Sequence, residues 1–447
     1  MKRRVYAISD YPEEVVAVAF AKTSRSPEAF DEILKGLSDE SSSKFHDKWV
    51  VGYGHSSVAE HAVLHLAVEN ASRLAIETLQ SCRLASYTEK SSRYQVMDKE
   101  HVVKPKELEG ELETEYTNTV EALFTSYSKV LDGMTKYFSE KEEKKEGDKF
   151  FENRMKLKAL DNARFILPNA TMANVGITVN ARELEHMIIK MLSHPLEEVR
   201  EIGEEMKTES TKVTPTLLKK ANQSEYLTET EKTLETEFKS LKSETEKDVR
   251  LLDYEKDAVD KLVSAIVFRF SQSDYNSIKE KVGKMPQEEK VKILDDAFGK
   301  LKWFDIPLRE MEHINYTFDL TMDHGAFYDF KRHRMCTMSV QPPTVHNGYV
   351  IPEDVVSAGF GDEFDNAMKA SEKCYNIIAE KHPHVAGYIS TNAHKRRVLA
   401  TMNMRELYHF IKLRTRPNVH FTVRKVAFGM LEELNKVHPE IVKYMGV

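Results

Sequence analysis

Residues Gly54 to Tyr94 read GHSSVAEHAVLHLAVENASRLAIETLQSCRLASYTEKSSRY, and residues Met311 to Val345 read MEHINYTFDLTMDHGAFYDFKRHRMCTMSVQPPTV. The two stretches share a frame. Each contains Glu-His, at Glu60-His61 and Glu312-His313, then a strand-like and a helix-like segment leading to an arginine, Arg83 or Arg334. The arginine follows the histidine by 22 residues in the first stretch and by 21 in the second. Further on, Asn-x-Arg-Glu-Leu occurs twice, at Asn180 to Leu184 and at Asn403 to Leu407. Ordered anchors at matched spacing mark an internal duplication, which sets the architecture before any local reading does.

From His313 the chain alternates, with Ile314, Tyr316, Phe318, Leu320 and Met322 on one side of the beat. A period of two predicts a half-buried strand. The first copy sets Val63, His65 and Ala67 against Ala62, Leu64, Leu66 and Val68, and with faces this alike it reads as a strand buried on both sides. Each strand leads into a helical pattern, SRLAIETLQSCRL or GAFYDFKRHRM, that ends in basic residues. Cations there gain from the helix dipole, and the chain turns into a loop suited to ligand contacts.

A chain of 447 residues has room for two or more domains, each with its own core. With 31% charged and 41% hydrophobic residues it is an ordinary globular sequence. The net charge of -7 argues against a generic nucleic-acid binder, although local basic clusters still suit phosphate. Cys82, Cys336 and Cys374 show no paired spacing, so neither a disulfide framework nor a metal site is expected, and the expected compartment is the reducing cytoplasm. MKRRVYAISDYPEEVV lacks the apolar segment of a signal peptide, and no apolar run approaches membrane-spanning length, so no membrane partner is expected. The expected domains are residues 1–214 for the first copy, 215–300 for a charged, solvated helical linker with spaced leucines, and 301–447 for the second copy. A second charged stretch, Ser139 to Lys149, reads as an exposed helix end or loop within the first copy.

Arg332-His333-Arg334 places two permanent cations around an imidazole. Arginine's planar fork of donors suits phosphate. The flanking charges are predicted to lower the histidine pKa and favour its neutral form. Taken alone, the tripeptide also fits a basic helix end facing solvent; its place in a repeated frame points to a site.

These motifs resemble the flavin-dependent thymidylate synthase family (ThyX). That family has Gly-His and then Glu-His on a strand, a helix ending Arg-His-Arg, and a loop Ser-x-x-Glu-x-Ser-x-Arg-Tyr. Ala-Arg-x-x-Leu-Pro and Asn-Ala-Arg-x-Leu follow. The first copy matches with Gly54-His55, Glu60-His61, Ser81 to Arg83, Ser86 to Tyr94, Ala163 to Pro168 and Asn180 to Leu184. The second matches with Glu312-His313, Arg332-His333-Arg334, Asn403 to Leu407 and His409 to Arg414. Only the charged linker and the charged insertion fall outside the resemblance.

The resemblance implies an α/β (α+β) fold of two tandem domains, each a mainly antiparallel sheet packed with helices. It implies FAD as hydride donor, methylenetetrahydrofolate as carbon donor, NADPH as reductant and dUMP as acceptor. Carried over residue by residue, it assigns the nucleotide to Glu89, Ser91, Ser92, Arg93, Arg164, Arg332 and Arg414. Arg414 would activate the uracil ring, and Ser91 would position it without a covalent bond. The cofactor falls to His55, Ser57, Arg83, Asn180, Arg182, His186, Arg332, His333, Arg334, Asn403, Arg405 and His409. Family members are homotetramers, so a homodimer forming a pseudo-tetramer is expected.

The departures from the family pattern are complementary. The first copy has Ser81-Cys82-Arg83 in place of Arg-His-Arg and Lys190-Met191 near the place of the uracil-contacting arginine, but keeps Glu89, Ser91, Arg93 and Arg164. The second keeps Arg332, His333, Arg334 and Arg414, but its loop, Met338 to Thr344, lacks the Glu, Ser and Arg. Gly387 falls near the place of the Ala-Arg arginine, Pro307 near that of the strand-leading histidine, and Asp329 near that of a family glutamine. Pairing the two retained sets would assemble one composite site. Cys82 reads as a small buried residue filling a vacated histidine position rather than as a nucleophile. Two readings remain: a tandem thymidylate synthase-like enzyme, and a non-catalytic flavin- or nucleotide-binding paralogue or relative acting on another pyrimidine nucleotide.

Overall fold

The structure, a computed structural model, describes residues 3–238, 241 and 247–446. The first part of the chain forms helices α1 (Glu13–Thr23), α2 (Phe30–Lys35) and α3 (Asp39–His46), strand β1 (Val63–Ser72), α4 (Arg73–Leu79), β2 (Ala85–Glu89), α5 (Glu111–Lys141) and α6 (Phe151–Ala163). Strand β3 (Met172–Asn180), α7 (Ala181–Leu192), α8 (Glu197–Thr211) and α9 (Glu225–Phe238) follow. The second part forms β4 (Val249–Tyr254), α10 (Ala258–Arg269), α11 (Tyr275–Gly283), α12 (Gln287–Phe298), β5 (Asn315–Asp323), α13 (His324–Phe330) and β6 (Thr337–Val340). It ends with α14 (Glu353–Ser357), α15 (Gly361–Ala379), β7 (Lys395–Asn403), α16 (Met404–Arg414), α17 (Phe421–Val437) and the short α18 (Pro439–Val442).

Packing divides this chain differently from the repeat. Unit 1 comprises Met1–Phe124, Pro168–Ser243 and Asn376–Ile389; unit 2 comprises Thr125–Leu167, Glu244–Tyr375 and Ser390–Val447. Helix α6 of the first copy therefore belongs to unit 2, and the end of α15 from the second copy belongs to unit 1.

Each unit carries one antiparallel sheet, in the order β1-β3-β2 in unit 1 and β4-β5-β7-β6 in unit 2. The sheets repeat one plan. Val63 stands opposite Asn180 in one, and Asn315 opposite Asn403 in the other. Just beyond each pair, Ala181 N–H donates to the Ala62 carbonyl at 2.9 Å and Met404 N–H to the Ile314 carbonyl at 2.8 Å. Helices start alike too: Ser72, Asn180, Asp323 and Asn403 each accept, through the side chain, the N–H three residues ahead. Such caps satisfy N–H groups that a helix start otherwise leaves without a partner. This is the α+β fold of two tandem domains that the motifs imply.

The alternation in β5 holds: Ile314, Tyr316, Phe318, Leu320 and Met322 all lie in the core of unit 2. The first copy differs from expectation. Leu64 is buried, while Val63, His65 and Ala67 are exposed, so β1 buries one face only. A bulge after Val68 puts Glu69 and Asn70 opposite a single residue of β3, and Asn70 takes φ 57°, which asparagine tolerates better than most residues.

The stretch read as a solvated linker also differs. Only α9, which buries no residue, keeps that character; residues 239–240 and 242–246 lie outside the described part. Strand β4 pairs with β5, and Ala258, Leu262, Val263, Ile278, Val282, Leu294 and Phe298 join the core of unit 2. The Lys- and Glu-rich run lies before β4, whereas α10, AVDKLVSAIVFR, is mostly apolar and packs accordingly. The charged stretch at Ser139 to Lys149 follows expectation, running from the end of α5 into a turn before α6.

Candidate active site

Helix α16 of unit 2 organises the candidate site from its two ends. Asn403 caps its start, and Arg414 is its last residue. The Arg414 guanidinium donates through Nε to His333 Nε2 at 3.1 Å, through Nη1 to Asp329 Oδ1 at 3.2 Å and through Nη2 to the Asp329 carbonyl at 2.8 Å. A guanidinium can only donate, so His333 Nε2 accepts and the ring proton sits on Nδ1, 3.1 Å from the Glu406 carboxylate. Burial holds the His333 pKa below its usual value; Glu406 opposes this, and Arg414 and His409 add to it. The neutral histidine expected from the sequence therefore arises chiefly from burial, and Arg414 is the foremost cation that adds to it. Arg332 itself is exposed, donates to the Tyr328 carbonyl at 3.2 Å and approaches Asp329 Oδ1 at 3.9 Å.

Beside this network lies a cavity of about 450 Å³, lined by Asn403, Arg405, Glu406 and His409 together with Trp303, Lys412 and Arg416. Arg405 pairs with Glu312 at 2.6 Å and donates to the Pro307 carbonyl at 3.1 Å. The Arg416 guanidinium lies 4.3 Å from the Trp303 ring centroid, and the Lys412 ammonium 4.9 Å. An aromatic face framed by cations suits a planar heterocycle that carries anionic groups.

Unit 1 repeats part of this arrangement. Its cavity of about 760 Å³ is lined by His55, Ser57 and Glu60, with Trp49, Phe45, Lys22 and Arg25 around them. Arg182 pairs with Glu60 as Arg405 does with Glu312. Asn180 is the cap of α7, and His186 is exposed on that helix. Arg83 is exposed as well. Cys82 is buried and burial pushes its thiol up to about 11, so it is no thiolate nucleophile near neutral pH.

The loop after β2 is anchored from within unit 1. Arg73 donates to Glu89 Oε1 at 3.2 Å and to the Lys90 carbonyl at 3.3 Å, while Gln80 donates to Glu89 Oε2 at 3.1 Å. Ser91 Oγ accepts the Arg93 N–H at 3.2 Å, Ser92 is buried, and Arg93 is half-buried.

Arg164 comes from the first copy but belongs to unit 2, where it is buried beside the start of α13. A Cβ on Gly325 would stand 3.4 Å from Arg164 Nη2 and 3.0 Å from Asp323 Oδ1, so glycine allows this approach. Asp323 also accepts from Thr422 at 3.3 Å. In unit 1 hydroxyl and carboxylate have exchanged places: Ser72 Oγ donates to Glu198 at 2.6 Å, and Tyr388 donates to the same carboxylate at 2.6 Å.

Burial pushes the Asp323 carboxyl up to about 6, against opposing contributions from the Ala326 N–H and Arg164. With the folded pKa above the unfolded one, its stabilising contribution is full below about pH 4 and is lost as pH rises through about 6. Asp323→Asn keeps the cap and should flatten the fall in melting temperature across that window. Parallel wild-type and variant curves would contradict this assignment.

The nucleotide residues expected from sequence thus divide, with Glu89, Ser91, Ser92 and Arg93 in unit 1 and Arg164, Arg332 and Arg414 in unit 2. Sequence reasoning missed Glu406, Arg73 and the two tryptophans, Trp49 and Trp303. Glu406 had a local signal, since Asn403-x-x-Glu406 has capping-box spacing.

Among the described residues no helix is long and apolar enough to cross a membrane. The sequence profile of the thymidylate synthase complementing protein family matches residues 5–216 and 250–440. A UPF0159 protein of Chlamydia muridarum is 27% identical over 482 aligned positions, covering 99% of this chain and 91% of the relative. A UPF0159 protein of Thermoplasma acidophilum is 28% identical, covering 90% of this chain and 87% of the relative. The flavin-dependent thymidylate synthase of Clostridium tetani is 32% identical, covering 49% of this chain and 86% of the relative. The profile spans both copies and breaks only between them, and the chain belongs to the thymidylate synthase complementing protein family.

Proposed function

We propose that the chain is a flavin-dependent methyltransferase that converts dUMP to dTMP, with FAD as resident cofactor, methylenetetrahydrofolate as carbon donor and NADPH as reductant. One observation carries this reading. Glu406 lines the aromatic, cation-framed cavity and also holds His333, which holds Arg414, so the candidate cofactor pocket and the candidate substrate arginine share one helix.

The cavity residues fit the cofactor: Arg405, Lys412 and Arg416 supply charge for a diphosphate, and Trp303 a face for a ring. Bound FAD supplies the hydride. The chain's own residues do the rest. Arg414 stabilises negative charge developing on the pyrimidine, a role worth roughly 10²–10³ in rate. Arg93 and Arg164 offer charge-assisted bonds to the phosphate, each worth about 1.5–3 kcal/mol, and Arg332 stands with Arg414 at the other end of the nucleotide. Ser91 positions the nucleotide, and no cysteine nucleophile takes part. A composite site is supported by the sequence, in which each copy retains what the other lacks. Family assembly supports a homodimer forming a pseudo-tetramer; a stable monomer by light scattering would contradict it.

The test is direct. Purified protein should carry flavin absorbance, bleach with NADPH, and recover its colour in a dUMP-dependent reaction when methylenetetrahydrofolate is supplied. Replacing both Arg332 and Arg334 by alanine should strip the cofactor, and stoichiometric FAD in that double variant would refute their assignment to it. Asp329, which neutralises Arg414, favours one second reading: that the acceptor is another pyrimidine nucleotide.

A further inference from the structure

Asp329 stands where two of the proposed substrate arginines converge. Its Oδ1 lies 3.2 Å from Arg414 Nη1 and 3.9 Å from Arg332 Nε, and its main-chain carbonyl accepts from Arg414 Nη2 at 2.8 Å. Both arginine side chains approach Oδ1, which leaves Oδ2 as an acceptor on a side chain that is 15% exposed beside an Arg414 that is 12% exposed. Had these arginines been arranged for a phosphate, a fixed carboxylate between them would repel it. The pair offers something else: an acceptor on Asp329 next to donors on Arg414. Its complement is a ring edge on which an N–H stands beside a carbonyl or a ring nitrogen. Uracil has such an edge at N3–H and its carbonyls, and cytosine at its amino group and N3.

We propose that Asp329 is a specificity-determining residue that, with Arg414, reads the donor–acceptor edge of a pyrimidine ring and keeps the phosphate away from this end of the site. This deepens the function proposed above and rests on it. A carboxylate that only tethered Arg414 would orient the guanidinium but would not sense whether the ring carries an N–H.

The full-length flavin-loaded protein distinguishes these roles by calorimetric titration. The ligands are dUMP, its N3-methyl analogue, dCMP, its N4,N4-dimethyl analogue and inorganic phosphate. Wild-type protein should bind dUMP or dCMP at least about tenfold tighter than the matching methylated analogue, as expected for loss of one hydrogen bond to a charged group. The parent that is preferred identifies the base. In Asp329→Ala this ratio should fall below about threefold. Phosphate affinity should rise about tenfold in both Asp329→Ala and Asp329→Asn, because the repelling charge is gone. The asparagine variant retains an acceptor and a link to Arg414, so it decides the charge effect even if the alanine variant unfolds. Equal binding of parent and methylated ligands by wild type, or unchanged phosphate affinity in both variants, overturns the inference while leaving the proposed function standing. Failure of the wild type to bind either parent nucleotide overturns both.

Discussion

Arg414→Ala is expected to lower dUMP-dependent flavin oxidation by roughly 10²–10³. The residue joins three acceptors of unit 2, the His333 ring, the Asp329 carboxylate and the Asp329 carbonyl, so its guanidinium is held before any ligand arrives. A preorganised donor needs no reorganisation when negative charge develops on the ring, which is the physical basis of the expected rate effect. Arg414→Lys should recover little. A lysine ammonium is a compact point charge and cannot span those acceptors in one plane. Removal should also lower stability by about 1–3 kcal/mol, since His333 and Asp329 lose a common partner. Stopped-flow absorbance reads the rate and thermal melting the stability. If the rate falls only in step with the folded fraction, Arg414 is structural; if the rate is unchanged, the assignment is wrong. Arg93→Ala should fail in the same assay. Recovery of activity on mixing the two inactive variants would mean that chains share sites, and no recovery would mean that one chain is self-sufficient.

Legibility in the sequence followed range along the chain. The alternation in β5 and the repeated Asn-x-Arg-Glu-Leu are local patterns: the first predicted its strand, and the second marked positions that the two copies share. Strand β1 failed because small residues such as Ala62 and Ala67 score as apolar on either face, and only the paired sheet decides which face is covered. The burial of the helices at Ala258 to Phe298 was missed because the Lys- and Glu-rich run before β4 set the reading of the whole stretch, although α10, AVDKLVSAIVFR, is itself mostly apolar. In the site, the arginines were visible as motifs, whereas what they touch was not. Asp329 and Arg414 are 85 positions apart, and Arg73 approaches Glu89 only through the fold. The exchange of segments between the units, with α6 in one and the end of α15 in the other, has no local signature at all.

Arg73→Ala is expected to destabilise unit 1 by about 3–5 kcal/mol, the usual consequence of leaving one member of a buried ion pair behind. Arg73 and Glu89 are only 4% and 8% exposed, and the guanidinium also reaches the Lys90 carbonyl, so it fixes the point where β2 runs into the Ser91–Arg93 loop. Glu89→Ala should be comparably severe, because it strands Arg73 in the interior. Glu89→Gln keeps the shape and an acceptor and should cost less, about 1–3 kcal/mol. Replacing both partners by apolar residues of similar volume should recover much of the loss, since the desolvation of two charges disappears with them. Urea unfolding of these variants separates the two roles of Glu89. A nucleotide contact alone predicts weaker dUMP binding at full stability. An anchor for the loop predicts lost stability in both single variants, partial recovery in the apolar pair, and weak dUMP binding even in that recovered protein, because the loop carrying Ser91 and Arg93 is no longer held in place. Full stability of Arg73→Ala would remove the anchor, and tight dUMP binding by the apolar pair would show that the loop needs neither charge to present its serine and arginine.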